Sequence, residues 1–302
     1  MDLSNKVAVV TGSGQGLGLA YARDLAGHGA SVVVNDVNRE AADQAVDSIV
    51  SAGGRAVAVV APVGSTETAK ALVAAAVDNF GRLDVMVTNA GILRDAVLWK
   101  MSDEDFDAVT NVHLRGTFTC AREAAIQFRE QGDGGRIIAI GSPAGQRGNF
   151  GQTNYSAAKA GIVGMVRTWA MELKRAGVTV NAVCPVAATA MTETIPFLAP
   201  YIDGLKNGEP LPPIIRREVG MGTPTDAAGV VSFLASDQAA EITGQAFSVG
   251  GDRLAIWSHP QLTATDYHDG GWTADAIAAQ WTSEFADFTE TVGEKFPEEL
   301  TR

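Results

Sequence analysis

A doubly wound α/β fold with one parallel sheet is the fold class this sequence predicts, and three observations predict it. Seven short runs rich in Val, Ile and Ala, bounded by Gly, Asn and Asp, alternate with longer helical segments. A glycine-rich turn follows the first run and opens the first helix. The 302 residues are 46% hydrophobic and 19% charged. At this length that is enough apolar material to bury roughly three quarters of the unfolded chain's surface in a single core, which excludes global disorder.

Taken in order, strands are expected at residues 6–11, 30–36, 55–60, 83–88, 135–141, 178–183 and 245–249. Their apolar runs are nearly continuous rather than alternating, as in strands covered on both faces. Helices are expected at 17–28, 40–52, 66–80, 103–130, 154–176 and 225–236. Ser65 and Ser102 stand where N-caps belong, and Gly29, Gly53 and Gly81 suit left-handed C-terminal caps. Connections are short, so no domain boundary is expected before residue 190. From 192 to 222 five prolines break any long helix, a composition that fits a mobile cover over a site. The main domain is therefore expected over 1–252. Residues 253–302, which carry Trp257, Trp272 and Trp281, form an extension that should dock on the core or on a neighbouring subunit.

Charge narrows the function classes. Lys and Arg number 23 against 35 Asp and Glu, a formal net charge of −12, which offers nothing to nucleic acid or anionic lipid. Cys120 and Cys184 are too few for a disulfide framework and lie in no metal-ligand spacing, so a reducing cytoplasm is the expected compartment and no metal is expected. No apolar run approaches membrane-spanning length, and export is not expected either.

The turn Thr11-Gly12-Ser13-Gly14-Gln15-Gly16-Leu17-Gly18 sits between a strand and a helix. There, backbone amides can approach a pyrophosphate and the helix N-terminus supplies partial positive charge. The bland reading is a turn that only permits tight packing. Gly12, Ser13, Gln15, Gly16, Leu17 and Gly18 are the candidate cofactor residues. Asp36 ends the second run 18 residues after Gly18, where an adenosine ribose lies in Rossmann-like folds. A carboxylate there accepts from both ribose hydroxyls and repels a 2′-phosphate, which points to NAD. Arg39 is the one nearby cation that argues for NADP, and the alternative role for Asp36 is as a helix cap.

Tyr155 and Lys159 are i and i+4, so a helix projects both toward one cleft. A phenol that titrates near pH ~10 becomes a usable base once nearby positive charge stabilises its phenolate. The glycine turn, Asn89-Ala90-Gly91, Asn111, Ser142 and Tyr155-Ser156-Ala157-Ala158-Lys159 together resemble the short-chain dehydrogenase/reductase family over about residues 5–252. The resemblance implies Ser142 as the residue that polarises the substrate oxygen and Asn111 as part of a water-mediated proton relay with Lys159. It also implies Asn89, with Ala90 and Gly91, as the wall behind the cofactor. Where the family often has an Asp for adenine, this chain has Pro62, leaving a backbone contact from Val63. The family's Pro-Gly is Pro185-Val186 here, and Thr189 is the candidate for holding the nicotinamide carboxamide.

Further motifs resemble one subgroup. They are Gly91-Ile92-Leu93-Arg94-Asp95, Val112-His113-Leu114-Arg115-Gly116, Gly148-Asn149-Phe150-Gly151-Gln152 and Met191-Thr192-Glu193-Thr194. These are similar to the dehydrogenase module of type 2 peroxisomal multifunctional enzymes and their bacterial single-domain relatives. That resemblance implies oxidation of a (3R)-hydroxyacyl-CoA or a 17β-hydroxysteroid with NAD. Another small or alicyclic secondary alcohol is the rival substrate, and a non-catalytic NAD-binding scaffold is the rival of a different class. His113 stands about 200° around a helix from Asn111 and reads as a packing residue. Cys184 reads as a small buried hydrophobe. Arg216 and Arg217 in the cover are either a surface pair or contacts for CoA phosphates. Small and apolar residues on several faces of 157–170 suggest a homo-oligomer, a dimer or tetramer.

Overall fold

Seven of the apolar runs form strands: β1 (Val7–Val10), β2 (Ser31–Asp36), β3 (Arg55–Val60), β4 (Val85–Thr88), β5 (Gly135–Ile140), β6 (Val178–Pro185) and β7 (Ala246–Gly250). The computed structural model describes residues 1–188, 198–293 and 297–301. All seven strands are parallel, but the sheet has eight strands rather than seven. An eighth, β8 (Arg253–Trp257), pairs antiparallel with β7, Gly250 opposite Arg253 and Ala246 opposite Trp257. That register leaves Gly251 and Asp252 as a two-residue hairpin loop, with Gly251 at φ 53°, the left-handed conformation such loops require. The sheet thus runs past residue 252, where the main domain was expected to end.

The order is β3-β2-β1-β4-β5-β6-β7-β8. Successive side chains of a strand point to opposite faces, so each central strand feeds two cores. Ala8 and Val10 pack with Val32, Val34, Val85 and Val87 under α1 (Gly16–Gly27), α2 (Arg39–Ser51) and α9 (Ala228–Ala235). Val7 and Val9 pack with Val33, Met86 and Ile137 under α3 (Thr66–Phe80), α5 (Gly116–Gln131) and α7 (Thr153–Glu172). Each fully buried Leu, Ile or Phe in these clusters contributes about 1.5–3 kcal/mol.

Caps fall where the residue types demand. The Ser65 hydroxyl accepts from the Thr68 amide at 3.1 Å, and Gly81 closes α3 in the left-handed region. Ser102 accepts from the Asp105 amide at the start of α4 (Asp103–Thr110), whose three first-turn carboxylates complement the helix dipole. The expected single helix over 103–130 is α4 and α5 joined by a π-helical turn, Asn111–Arg115.

The Pro-rich segment carries α8 (Ala199–Lys206) and a π-helical turn, Ile215–Val219. Leu198, Ile202, Leu211, Ile215, Val219 and Met221 form a third apolar cluster, with Leu300 from the C-terminus packed against it. Past β8, Trp272, Trp281 and Phe285 make an aromatic group near α10 (Ala274–Gln280). Gly293 then exchanges two hydrogen bonds with Arg147, its amide to the Arg147 carbonyl at 2.7 Å and the guanidinium Nε to its own carbonyl at 3.0 Å. Among the described residues no helix is long and apolar enough to cross a membrane.

Candidate active site

Strand order reverses between β1 and β4, and in open α/β sheets that switch point is where a crevice opens. A cavity of about 800 Å³ lies there. Gly12, Gln15, Gly16, Leu17, Gly18, Asp36, Val63, Asn89, Ala90, Gly91, Ser142, Tyr155, Lys159 and Pro185 all line it. Thr189 lies outside the described residues.

The glycine turn is built for close approach. Gly12 and Gly16 have φ of 61° and 57°. A Cβ on Gly12 would stand 2.7 Å from the Ala90 Cα, and one on Gly18 only 2.2 Å from the Gly12 carbonyl oxygen. No side chain caps α1 at Gln15, which leaves its first N–H groups to the cavity. The Asn89 amide donates to the carbonyls of Thr11 and Gly12 at 2.9 and 3.0 Å, while the Thr11 hydroxyl accepts from the amides of Asn89 and Ala90. Asn89 therefore holds the turn against the end of β4.

Asp36 accepts from the Gly14 amide at 3.0 Å and from the Asn38 amide at 3.0 Å. The cap of α2 is Asn38, which accepts from the Ala41 amide, so Asp36 is not that cap. Arg39 is exposed and does not line the cavity. The arrangement fits a dinucleotide: a cradle that any Cβ would fill, a helix N-terminus and a carboxylate at the ribose position. Ser13 departs from expectation. Its side chain is fully buried, donating to the Val10 carbonyl and accepting from the Asn35 amide, so it ties β1 to β2 and does not face the cavity.

Ser142 ends the loop after β5 and N-caps α6 (Pro143–Arg147), accepting from the Ala144 amide at 3.2 Å. From α7, Tyr155 and Lys159 reach the same point. The Ser142 hydroxyl hydrogen-bonds Tyr155, and the Lys159 ammonium lies 5.5 Å from the Tyr155 ring centroid and donates to the Ile140 carbonyl at 2.6 Å. Burial pushes the Tyr155 phenol up to about 12, against the pull of Ser142, and pushes the Lys159 ammonium down to about 8. Burial thus favours the neutral phenol of Tyr155 and eases deprotonation of the Lys159 ammonium beside it. Cys184 lies buried under Gly141, whose Cβ would meet its sulfur at 2.8 Å, and burial holds its thiol up at about 11.

The structure places Asn111 away from the cavity, while His113, expected as a packing residue, is buried at its wall. Asn111 is exposed, lies with its amide against Gly64 and does not line the cavity. His113 does line it, 2% exposed, with its ring edge-on to Tyr155 at 5.0 Å. The physical reason is helix phase. Val109, His113, Thr117, Cys120, Ala124 and Phe128 form the buried stripe, at spacings of three and four. That stripe is readable in the sequence and places His113, not Asn111, toward the sheet.

The Pro-rich segment contributes Leu198 and Val219 to the cavity. Arg216 is committed elsewhere, bonded to Asp252 at 2.8 Å and to Asp226 at 3.3 Å. Arg217 is exposed and 3.8 Å from Asp252.

A sequence profile of the short chain dehydrogenase family matches residues 6–196. The chain is 42% identical over 298 residues to hydroxyacyl-CoA dehydrogenase ChsB1 of Mycobacterium tuberculosis, covering 94% of this chain and 90% of that protein. It is 44% identical over 252 residues to a 3-oxoacyl-[acyl-carrier-protein] reductase of Synechocystis, covering 82% and 97%. A peroxisomal hydratase-dehydrogenase-epimerase of Neurospora crassa is 37% identical over 300 residues, 96% of this chain but 31% of that protein. A crystal structure of a short chain dehydrogenase from Mycobacterium avium matches with TM-score 0.80 at 36% identity, over 93% of this chain and 95% of that one. Both resemblances drawn from the motifs are borne out.

Proposed function

The chain belongs to the short chain dehydrogenase family of oxidoreductases, and from that premise we propose that it interconverts a secondary alcohol and a ketone with NAD. The favoured substrate is a 3-hydroxyacyl-CoA, with a 17β-hydroxysteroid next. The observation that carries the reading is one cavity holding Asp36 together with Ser142, Tyr155 and Lys159. Asp36 ends β2 and Ser142 follows β5, three strand spacings away or about 14 Å, a span suited to an extended dinucleotide.

In this reading Ser142 orients the substrate oxygen, and Tyr155 takes the hydroxyl proton in oxidation or returns it in reduction. Lys159 is the cation that favours the phenolate, and its charge is retained below about pH 8. When bound, the nicotinamide supplies the hydride acceptor. Gly16, Leu17 and Gly18 would hold the pyrophosphate, Asp36 the ribose, Val63 the adenine by its backbone, and Pro185 the nicotinamide side. Thr189 is proposed for the carboxamide.

Reduction of a 3-oxoacyl thioester is the same chemistry reversed, and the likeness to the Synechocystis reductase favours keeping it in the test. Absorbance at 340 nm is followed with NAD or NADP and a panel of (3R)- and (3S)-hydroxyacyl-CoAs, 17β-hydroxysteroids and small alicyclic alcohols. NAD-linked turnover of a thioester is expected. Activity confined to small alcohols discards the substrate, and preference for NADP discards the role of Asp36.

A further inference from the structure

His113 is a buried titratable group that the acid–base chemistry above leaves unused. Its ring meets Tyr155 edge-on, centroids 5.0 Å apart at an interplanar angle of 86°. Its Nε2 lies 2.8 Å from the carbonyl oxygen of Ile92 and 3.1 Å from the amide nitrogen of the same residue. Either tautomer of the neutral imidazole therefore makes one hydrogen bond to that backbone. On the other side the ring fills the space above Gly91, where a Cβ would stand 2.2 Å from the imidazole Cε1. Gly91 and Ile92 both line the cavity on its cofactor wall, so a single side chain touches that wall and the tyrosine at once.

The ring also stays uncharged. Its Nδ1 is buried with no hydrogen-bond partner among the described residues, so the second N–H of an imidazolium would have nothing to donate to. Burial first, and the Lys159 ammonium second, push the imidazole down to about 3. An apolar side chain of the same size would fill the space but could not bond to Ile92. The polar ring is the feature to be explained.

We propose that His113 is a positioning residue for Tyr155, bracing the phenol ring and the Gly91-Ile92 turn as one unit so that the hydroxyl stays beside Ser142. This rests on the reading of Tyr155 as the acid–base group. Burial first, then Ser142, Cys184 and Asp95, set the titration of Tyr155, and the Lys159 ammonium lies 5.5 Å from its ring centroid. Holding the ring therefore holds the pH profile as well as the rate.

The test compares His113→Leu with His113→Gln, whose terminal amide reaches about as far as Nε2 and can donate or accept. For His113→Leu, kcat for alcohol oxidation is expected to fall at least about tenfold, with the KM for NAD within about twofold and the rising limb of the kcat–pH profile moved to higher pH. His113→Gln is expected to restore kcat to within about threefold and to return the profile. A His113→Leu enzyme with parental kcat and parental pH profile overturns the proposal, because packing alone then suffices. Where the leucine variant does not fold, His113→Asn takes its place, since its amide is too short to reach Ile92, and the same loss and shift are expected. Tyr155→Phe is measured in parallel. If it keeps its turnover, the reading of Tyr155 fails; if it is inactive while His113→Leu is unimpaired, only the present inference fails.

Discussion

The glycine turn at 12–18 and the Pro-rich segment at 198–221 both line the same cavity but are held in place by different forces. The turn is fixed by backbone: left-handed glycines, Asn89 bonded to two carbonyls and neighbours too close to admit a Cβ. The Pro-rich segment is fixed by its own small apolar cluster and by Arg216 on Asp226 and Asp252, partly exposed pairs that contribute little each. A ligand element common to every substrate can be met by rigid backbone. Under the proposed function, the part that differs between substrates would be met by side chains that can change without disturbing the sheet.

The same substitution in each region should separate them most. Gly18→Ala drives a methyl into the Gly12 carbonyl and the Asn89 amide, and NADH binding, measured by fluorescence, is expected to weaken by about a hundredfold or more. Gly204→Ala, inside α8 with only the flexible end of Glu209 at 3.1 Å, should leave turnover unchanged and stabilise by up to about 1 kcal/mol. Equal damage from both would erase the distinction.

Asp36 sharpens it further. Asp36→Ser removes a charged acceptor worth about 1.5–3 kcal/mol, and the NAD-to-NADP ratio of kcat/KM is expected to fall by about 10- to 100-fold at unchanged substrate KM. Arg216→Gln should do the reverse, raising the substrate KM a few-fold and leaving that of NAD alone. Steady-state kinetics with each substrate varied in turn distinguishes the two.

How far the sequence disclosed these regions follows from the same difference. Parallel strands covered on both faces write themselves as unbroken Val and Ile runs, so β1 to β7 were legible within a few residues. That the glycine turn, Tyr155 and Lys159 meet at one cavity was legible from backbone approach and helix spacing, Asp36 from its place at the end of the second run, and Ser142 only through the family resemblance. β8 was not, since a five-residue edge strand with Leu254 and Ile256 exposed carries no buried run. Its signal was the Gly251-Asp252 turn. His113 was legible as a packing residue, but its contact with Tyr155 was not, because helix phase alone does not say which neighbouring helix a buried ring meets. Ser13 was misplaced because a serine in a phosphate-binding turn and a serine tying two strands look alike in sequence.

A smaller effect tests the buried histidine. The folded value of about 3 lies below the ordinary 6.5, so the unfolded chain binds this proton more readily. Native stability should then decline as pH falls from about 6.5 toward 3. The melting temperature of His113→Gln is expected to fall less than that of the parent between about pH 7 and pH 4.5. An identical fall in both would show that the imidazole does not titrate in that window.

In the proposed function Tyr155 performs the proton transfer, in a site whose cofactor half stands independently of it. The most direct measurement pairs NADH binding with turnover in Tyr155→Phe. An NADH Kd within about twofold of the parent and a kcat reduced by about 10²- to 10⁴-fold are expected. Turnover within about tenfold of the parent, at unchanged NADH binding, would contradict that role of Tyr155.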